Sequence, residues 1–107
     1  MARRVPLRAI AHARAGDKGD RSNVAVFAYD RAHYPAIKAQ LTAERLKSEF
    51  GRLLKGAVTR FELDHLLALN FVMDEALEGG VNESLNLDSH GKSWSFLVLG
   101  LDIELED

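Results

Sequence analysis

The stretch AGDKGDRSN, residues 15–23, joins two apolar segments of the chain, residues 5–13 and 24–29. It carries two glycines, two carboxylates, two cations, a hydroxyl and an amide, and no aliphatic residue longer than alanine interrupts it. Glycine tolerates positive φ and leaves backbone N–H groups uncovered, so Gly16 and Gly19 favour a turn whose amides point at an anion. We therefore predict that this stretch is a binding loop between two strands.

The composition is typical of one globular domain. The chain has 107 residues, of which 47% are hydrophobic and 28% charged, so we predict a single domain over residues 1–107. Cysteine is absent, which excludes disulfides and zinc–thiolate sites and fits a reducing compartment. No apolar run approaches the roughly 18 residues that cross a bilayer, so we expect a cytoplasmic protein. The arginine-rich N-terminus would also suit an organellar transit segment, but its strand-like alternation favours a structural role.

The charges are distributed unevenly along the chain. Residues 1–61 hold thirteen Lys and Arg against five Asp and Glu, whereas residues 62–107 hold one against eleven. Acidic and basic elements that lie side by side in one fold explain this most simply, and head-to-tail association or attraction of an anionic ligand is the alternative. The basic residues are scattered and lack an aromatic stacking pattern, so we expect no nucleic-acid partner, and no membrane partner either.

Hydrophobic periodicity predicts the element order ββαβαββ. The first apolar segment alternates with period two, and the second is apolar at nearly every position, as a central strand is. Pro35 suits the first turn of a short helix, and Thr42 suits the N-cap of the main helix. The predicted elements are strands at residues 5–14 and 23–29, helices at 35–40 and 43–54, a strand at 57–63, a helix at 66–78, and strands at 83–87 and 93–103.

This order predicts an α+β fold, a ferredoxin-like two-layer sandwich. A mixed, mostly antiparallel sheet of four to five strands would carry the two main helices on one face. The last predicted strand is apolar on both sides, because Trp94, Phe96 and Val98 alternate with Leu97 and Leu99. We therefore expect a second copy of the chain to cover the free sheet face, which would make the protein a homo-oligomer.

The glycine stretch and the strand before it supply the candidate ligand-binding residues. Lys18 and Arg21, on a loop with free amides, suit a carboxylate or phosphate of a small molecule; the alternative is that they only pair with the neighbouring carboxylates. His12 is a candidate general base or hydrogen-bond donor, although a lone histidine is more often a solvated strand residue. The candidates are His12, Gly16, Asp17, Lys18, Gly19, Asp20, Arg21 and Asn23.

Metal and cofactor chemistry receive little support from the sequence. Asp17, Asp20 and Asn23 place oxygen atoms at intervals of three, but the spacing is not that of an EF-hand and the carboxylates are too few for a strong site. The glycines and Lys18 do not follow the order of a phosphate-binding P-loop. We therefore expect no bound metal and no cofactor.

Two polar residues outside the loop are predicted to be structural. Asn70 lies among large apolar residues, where a buried amide must find hydrogen-bond partners, so it caps a helix or ties down a loop. Asp88 belongs to the turn of a predicted hairpin at residues 88–91. No set of nucleophile, base and orienting residue can be assembled, so the catalytic residues are unknown and the question whether the chain is an enzyme stays open.

Several short motifs are spread over nearly the whole chain. They are AHARAGDKGD at 11–20 with Asn23, LT at 41–42, RFEL at 60–63, ALNF at 68–71, GG at 79–80, SL at 84–85 and DSHGK at 88–92. Together they resemble one known family, the AtuA-like ferredoxin-fold domain, which forms the C-terminal part of acyclic terpene utilisation proteins. The Gly-Asp-Lys-Gly-Asp run and the Ala-Leu-Asn-Phe motif are the most specific parts of this resemblance.

The resemblance implies a ferredoxin-like fold and a setting near acyl-CoA, branched-chain or terpenoid acid catabolism. It brings no catalytic residues. The large N-terminal domain of the family is missing from this chain, so the resemblance implies a stand-alone version that pairs with a separate large AtuA-type subunit. Two functions stay open: an accessory or oligomerising subunit that presents the glycine loop, and a small enzyme that acts on an acyl-CoA or related carboxylic acid through the same loop.

Overall fold

The computed structural model describes residues 2–18, 21–54, 56–74 and 92–106. Within these residues the chain forms six strands and three helices, joined in part by 3-10 turns at Leu7–Ala9, Arg31–His33 and Asp64–Leu66. The strands are β1 (Ala2–Pro6), β2 (Ala11–Lys18), β3 (Arg21–Ala28), β4 (Val58–Leu63), β5 (Ala68–Met73) and β6 (Asp102–Glu106), and the helices are α1 (Tyr34–Gln40), α2 (Ala43–Phe50) and α3 (Lys92–Leu99).

The strands form two antiparallel sheets. The larger sheet has the order β2-β3-β5-β4, and the smaller one pairs β1 with β6. Both β3 and β4 run antiparallel to β5, which lies between them, so they are parallel to each other and are connected by a crossover through α1 and α2. This split crossover is typical of ferredoxin-like folds, and the predicted α+β ferredoxin-like class is confirmed.

One face of the larger sheet, the inner face, carries the hydrophobic core. Val24 of β3 lies opposite Phe71 of β5, and both side chains are fully buried. The helices pack on this face, where Phe50 of α2 meets Trp94 of α3 edge-on at 5.8 Å between ring centroids. The central position predicted for β3 is confirmed, but only its inner face is fully buried.

The helix ends follow the local chemistry of the sequence. The hydroxyl of Thr42 accepts a hydrogen bond from the backbone N–H of Arg45 at 3.0 Å, and Glu44 lies in the first turn of α2, where the helix dipole favours an acid. Pro35 lies in the first turn of α1. Both predicted helix starts are therefore confirmed, although α2 ends at Phe50, four residues earlier than expected.

The predicted first strand, residues 5–14, is in fact two strands. β1 ends at Pro6, and the 3-10 turn that follows separates it from β2. Leu7 in this turn donates its N–H to the carbonyl of Leu101 at 2.7 Å, and Leu7 and Ile10 are both buried. Apolar residues three apart therefore reach the core through a turn, although the sequence around them alternates like a strand.

The predicted helix at residues 66–78 is wrong, because residues 68–73 form β5. This strand lies between β3 and β4, with Leu69, Phe71 and Met73 fully buried on the inner face. A short apolar run fits a central strand as well as it fits a buried helix, and the length of the run is the usual criterion between the two. The sequence does not show where this run ends, so the length of the predicted element wrongly favoured a helix. Residues 75–78 lie outside the described residues.

The predicted strand at residues 93–103 is also wrong. Residues 92–99 form α3, and β6 follows after a turn at Gly100. Trp94 and Val98, four residues apart, are buried on one helix face, whereas Phe96 is 73% exposed. The predicted strand at residues 83–87 and the turn at 88–91, with Asp88, lie outside the described residues.

The free edge of β6 is occupied by side chains from the helices. The side-chain amide of Gln40 donates to the carbonyl of Glu104 at 2.7 Å and accepts from the N–H of the same residue at 2.8 Å. Arg45 donates to the carbonyl of Asp102 at 2.7 Å. Gln40 thus pairs with the backbone of Glu104 as a neighbouring strand would.

Candidate functional site

The face of the four-stranded sheet opposite the helices is called the open face here. Directly opposed residues of an antiparallel pair point to the same side, so the strand register assigns the residues of this face. In the described part of the chain no helix packs on it, and its side chains other than that of Ala68 are half-buried or exposed. The open face carries His12, Arg14 and Gly16 on β2, Arg21, Asn23, Ala25 and Phe27 on β3, Ala68, Asn70 and Val72 on β5, and Thr59, Phe61 and Leu63 on β4.

An aromatic stack occupies one end of the open face. The imidazole of His12 stacks on Phe27, its opposed neighbour, with 5.1 Å between ring centroids and 14° between ring planes. It also stacks on Tyr29, at 5.4 Å and 25°. Among the described residues, its ring neighbours are therefore aromatic faces, which favours a packing role for His12 over that of an oriented general base.

Two asparagines are joined in the middle of the open face. The side-chain amide of Asn23 donates to Oδ1 of Asn70 at 3.2 Å. Gly16 lies opposite Asn23, and a Cβ atom at position 16 would stand 3.1 Å from Oδ1 of Asn23, so the glycine leaves room for this side chain. Asn70 therefore has a hydrogen-bond partner, but it lies on a strand and binds the side chain of Asn23 instead of capping a helix or tying down a loop.

The predicted nine-residue loop is mostly a β-hairpin. The ladder between β2 and β3 continues to the pair Lys18–Arg21, with Gly16 opposite Asn23 and Asp17 opposite Ser22. Only residues 19 and 20 separate the two strands, and Gly19, Asp20 and the side chains of Asp17 and Lys18 lie outside what the structure describes. Most of the stretch therefore takes part in strand pairing, unlike the open loop that we expected.

Arg21 forms an ion pair at the turn end of this hairpin. Its Nε donates to Oδ1 of Asp74 at 2.7 Å, and 65% of the Arg21 side chain stays exposed. The pair links β3 to the residue that follows β5. Among the described side chains, Arg21 thus pairs with an acid 53 residues away in sequence. The neighbouring carboxylates that the alternative named, those of Asp17 and Asp20, lie outside the described side chains.

A second cluster of titratable groups lies where α1 meets the turn between β4 and β5. The hydroxyl of Tyr34 donates to Oδ1 of Asp64 at 2.7 Å and to the carbonyl of Ala68 at 3.0 Å, and Nζ of Lys38 lies 3.0 Å from Oδ2 of Asp64. Burial, and next the bond to Asp64, raise the pKa of Tyr34 to about 12. The bonds from Tyr34 and Lys38 lower the pKa of Asp64, and the bond to Asp64 raises the pKa of Lys38.

This cluster fixes the turn between β4 and β5 to α1. Leu67, which ends the turn, has a φ of 55°, a left-handed conformation that leucine rarely adopts. A cleft of about 360 Å³ lies over the turn and is lined in part by Arg31, Lys38 and Asp64. Sequence reasoning missed the cluster, since it predicted a helix at residues 66–78 directly after Asp64 and nothing in the spacing links Asp64 to Tyr34.

The described residues form neither a cluster of metal-ligand side chains nor a membrane-spanning helix. In the described residues, no group of three or more His, Asp or Glu side chains is placed to hold a metal ion. No helix in the same part of the chain is long and apolar enough to span a membrane.

These features define an α+β domain of ferredoxin-like topology, with helices on one sheet face and a polar–aromatic open face on the other. A family model described as the AtuA ferredoxin-like domain matches residues 5–104. The chain therefore belongs to the AtuA ferredoxin-like domain family. No curated protein and no solved structure shows a significant match to it.

Proposed function

We propose that this chain is a non-catalytic accessory domain that associates through its four-stranded sheet, with its own copies and with a larger AtuA-type subunit. The observation that carries the proposal is the open face. Phe61, on the edge strand β4 and opposite Asn70, is 49% exposed, and Val72 is only half-buried. An apolar and aromatic surface with a few satisfied polar groups is typical of a protein–protein interface.

The arrangement of polar residues supports an accessory role over a catalytic one. Asp64 already accepts bonds from Tyr34 and Lys38, and Arg21 already binds Asp74. His12 is stacked on aromatic rings. The small-enzyme alternative would need an activated nucleophile or an oriented base, and these groups are engaged in holding the fold.

We place the domain in acyl-CoA, branched-chain or terpenoid acid catabolism, as the resemblance to its family implies.

We also propose that the hairpin around residues 15–23 binds an anionic group. The exposed guanidinium of Arg21 supports this role, because its bond to Asp74, the carboxylate partner that the described residues give it, leaves an arginine able to bind a carboxylate or phosphate as well.

Light scattering at micromolar concentration tests the association. The chain has a mass of 11.9 kDa, and we expect at least twice that value. Phe61→Asp should return the protein to a monomer, because it puts a charge in the interface, whereas Phe96→Asp should not. Phe96 is a suitable control since it is 73% exposed on α3, away from the sheet. A monomeric wild type, or dissociation by Phe96→Asp alone, would contradict the proposal.

Calorimetric titration with coenzyme A tests the anionic site separately. Arg21→Ala, combined with Lys18→Ala, should weaken binding while changing the free energy of unfolding by no more than about 0.5 kcal/mol, as for exposed charges. Arg52→Ala serves as the control, because Arg52 is an exposed cation on another part of the surface. Loss of stability with unchanged binding would mean that the hairpin charges only hold the fold.

A further inference from the structure

The strand β4 has a free edge whose backbone groups can be assigned. β4 is the last strand in the order β2-β3-β5-β4, and within the described ranges only β5 pairs with it. Asp74 donates its N–H to the carbonyl of Ala57 at 2.9 Å, so residues 57 and 74 form a hydrogen-bonded pair of the ladder between β4 and β5. Because bonding alternates along an antiparallel pair, Thr59 and Phe61 bond to β5, and the N–H and C=O groups of Arg60 and Glu62 point outward.

We propose that two copies of this chain pair antiparallel along β4, about a two-fold axis that passes through Phe61. In this register Arg60 of each copy lies opposite Glu62 of the other copy, which gives two such pairs. Both residues have outward backbone groups, so each such pair can exchange two backbone hydrogen bonds. The inference rests on the proposed association and specifies its surface, its partner and its register.

Charge selects this register among those that the backbone allows. A shift of two residues in one direction places Arg60 opposite its own equivalent, and a shift in the other direction places Glu62 opposite its own equivalent. Like charges directly opposed across a strand pair are destabilising, and opposite charges are stabilising. Arg60 is also held in place, because its guanidinium donates to the carbonyls of Lys38 and Leu41 at 2.6 and 2.9 Å.

The other edge of the sheet does not offer such a match. The residues of β2 that face the open side include His12 and Arg14, and Lys18 occupies a register position on the same side. Self-pairing of β2 in its two central registers places Arg14 opposite Arg14, or His12 opposite Lys18. The first register opposes two arginines, and neither register opposes residues of opposite charge, so charge favours self-association through β4 over β2.

Phe61 supplies the apolar contact at the axis. It lies on the open face, and in the proposed register it is opposed to its own equivalent in a non-hydrogen-bonded pair, where side chains approach most closely. Its 49% exposure is thereby reduced. The two sheets join into one of eight strands, and the two open faces form one continuous surface that stays available to a larger subunit.

Single cysteines test the pairing, because the chain has no cysteine of its own. In the Phe61→Cys variant the two Cα atoms would be about 4.5 Å apart, within the range that a disulfide bridges. In the Thr59→Cys variant each position is opposed to Leu63 of the second copy, so the two cysteines would be about 13 Å apart, too far for a bond. We expect mild oxidation to cross-link the first variant and not the second.

A mixing experiment leaves Phe61 in place. Thr59→Cys protein mixed with Leu63→Cys protein should form a mixed disulfide, because positions 59 and 63 are opposed across the axis, whereas each variant alone should not cross-link. Oxidation is carried out at a concentration at which light scattering shows the wild type to be dimeric, and circular dichroism confirms that the variants are folded.

The outcomes separate this inference from the proposed association. Cross-linking of Phe61→Cys together with the mixed disulfide supports the β4 pair. A dimeric wild type without these cross-links overturns the β4 pair and leaves the association through another part of the sheet. Equal cross-linking of Thr59→Cys alone overturns the register. A monomeric wild type overturns both the pair and the association.

Discussion

Replacing Tyr34 with phenylalanine removes one hydroxyl and leaves the ring that α1 places in the core. The hydroxyl donates to Oδ1 of Asp64 at 2.7 Å and lies 3.0 Å from the carbonyl of Ala68, and the residue is only 7% exposed. The substitution therefore tests whether the bond between α1 and the turn after β4 stabilises the fold. It also tests whether that bond sets the acidity of the phenol.

The expected loss of stability is about 1–2 kcal/mol. A hydrogen bond to a charged acceptor contributes about 1.5–3 kcal/mol, and the 60% exposure of Asp64 weakens the interaction through solvent screening. Asp64 also keeps its ion pair with Lys38 in the variant, so no carboxylate is left without a partner. These two facts place the expectation in the lower part of the range.

Urea denaturation at neutral pH measures the effect. Trp94, the single tryptophan of the chain, is 1% exposed and reports unfolding by its fluorescence. Tyr29→Phe is the matched control, because Tyr29 is 65% exposed and the chain has only two tyrosines. We expect the control to change the free energy of unfolding by less than about 0.5 kcal/mol. Equal effects of the two substitutions would refute the reasoning.

The raised pKa gives a second readout of the same bond. In the Tyr29→Phe variant the tyrosinate absorbance comes from Tyr34 alone, and its midpoint should lie near the raised pKa of about 12 and not near the ordinary 10.0. A raised pKa means that the folded state keeps its proton longer, so this contribution to stability is complete below pH 10 and is lost between pH 10 and 12. Tyr34→Phe should lack this pH-dependent loss, and a midpoint near 10 would contradict the bond.

Three further predictions concern side chains of the two sheets. Gly16→Ala should be neutral or destabilising in the wild type, since the new methyl group meets Asn23 at 3.1 Å, but should stabilise an Asn23→Ala background by about 0.5–1 kcal/mol in chemical denaturation. Asn70→Leu should cost about 1 kcal/mol, and a double-mutant cycle with Asn23→Ala should show coupling; strictly additive losses would argue against their bond. Gln40→Ala should lower the Tm and speed hydrogen exchange at the Glu104 amide, and unchanged exchange there would show that water replaces the amide without loss.

The fold class could be predicted from the sequence because three local signals were unambiguous. The N-cap at Thr42, Pro35 in the first turn of α1 and the apolar run of β3 depend only on neighbouring residues. The runs of β5 and α3 are apolar on both sides, so periodicity could not separate strand from helix there. Trp94 and Val98 lie four apart but also alternate with Phe96, and only packing shows which spacing matters.

For the candidate site, too, the sequence indicated which residues matter but not which of them are brought together. His12, Gly16, Asn23 and Asn70 were each predicted as polar or conformational candidates, and the structure brings all four to one sheet face. The bond between Asn23 and Asn70 depends on the register of β3 against β5, which joins residues 47 positions apart. Such a register is set by the buried inner face, so the sequence of the open face does not reveal it.

The bond between Gln40 and β6 limits which residues position 40 can accept. The amide side chain of Gln40 carries its donor and its acceptor on separate atoms, and asparagine is one methylene shorter, so glutamine is well matched to both backbone groups of Glu104. Replacing Gln40 would leave the backbone groups of Glu104 unpaired at a strand edge, and exposed edges recruit strands of other molecules into aggregates. Gln40, together with Arg45 on the carbonyl of Asp102, thus protects the edge of the small sheet, and the solubility of the protein at high concentration should fall when Gln40 is replaced.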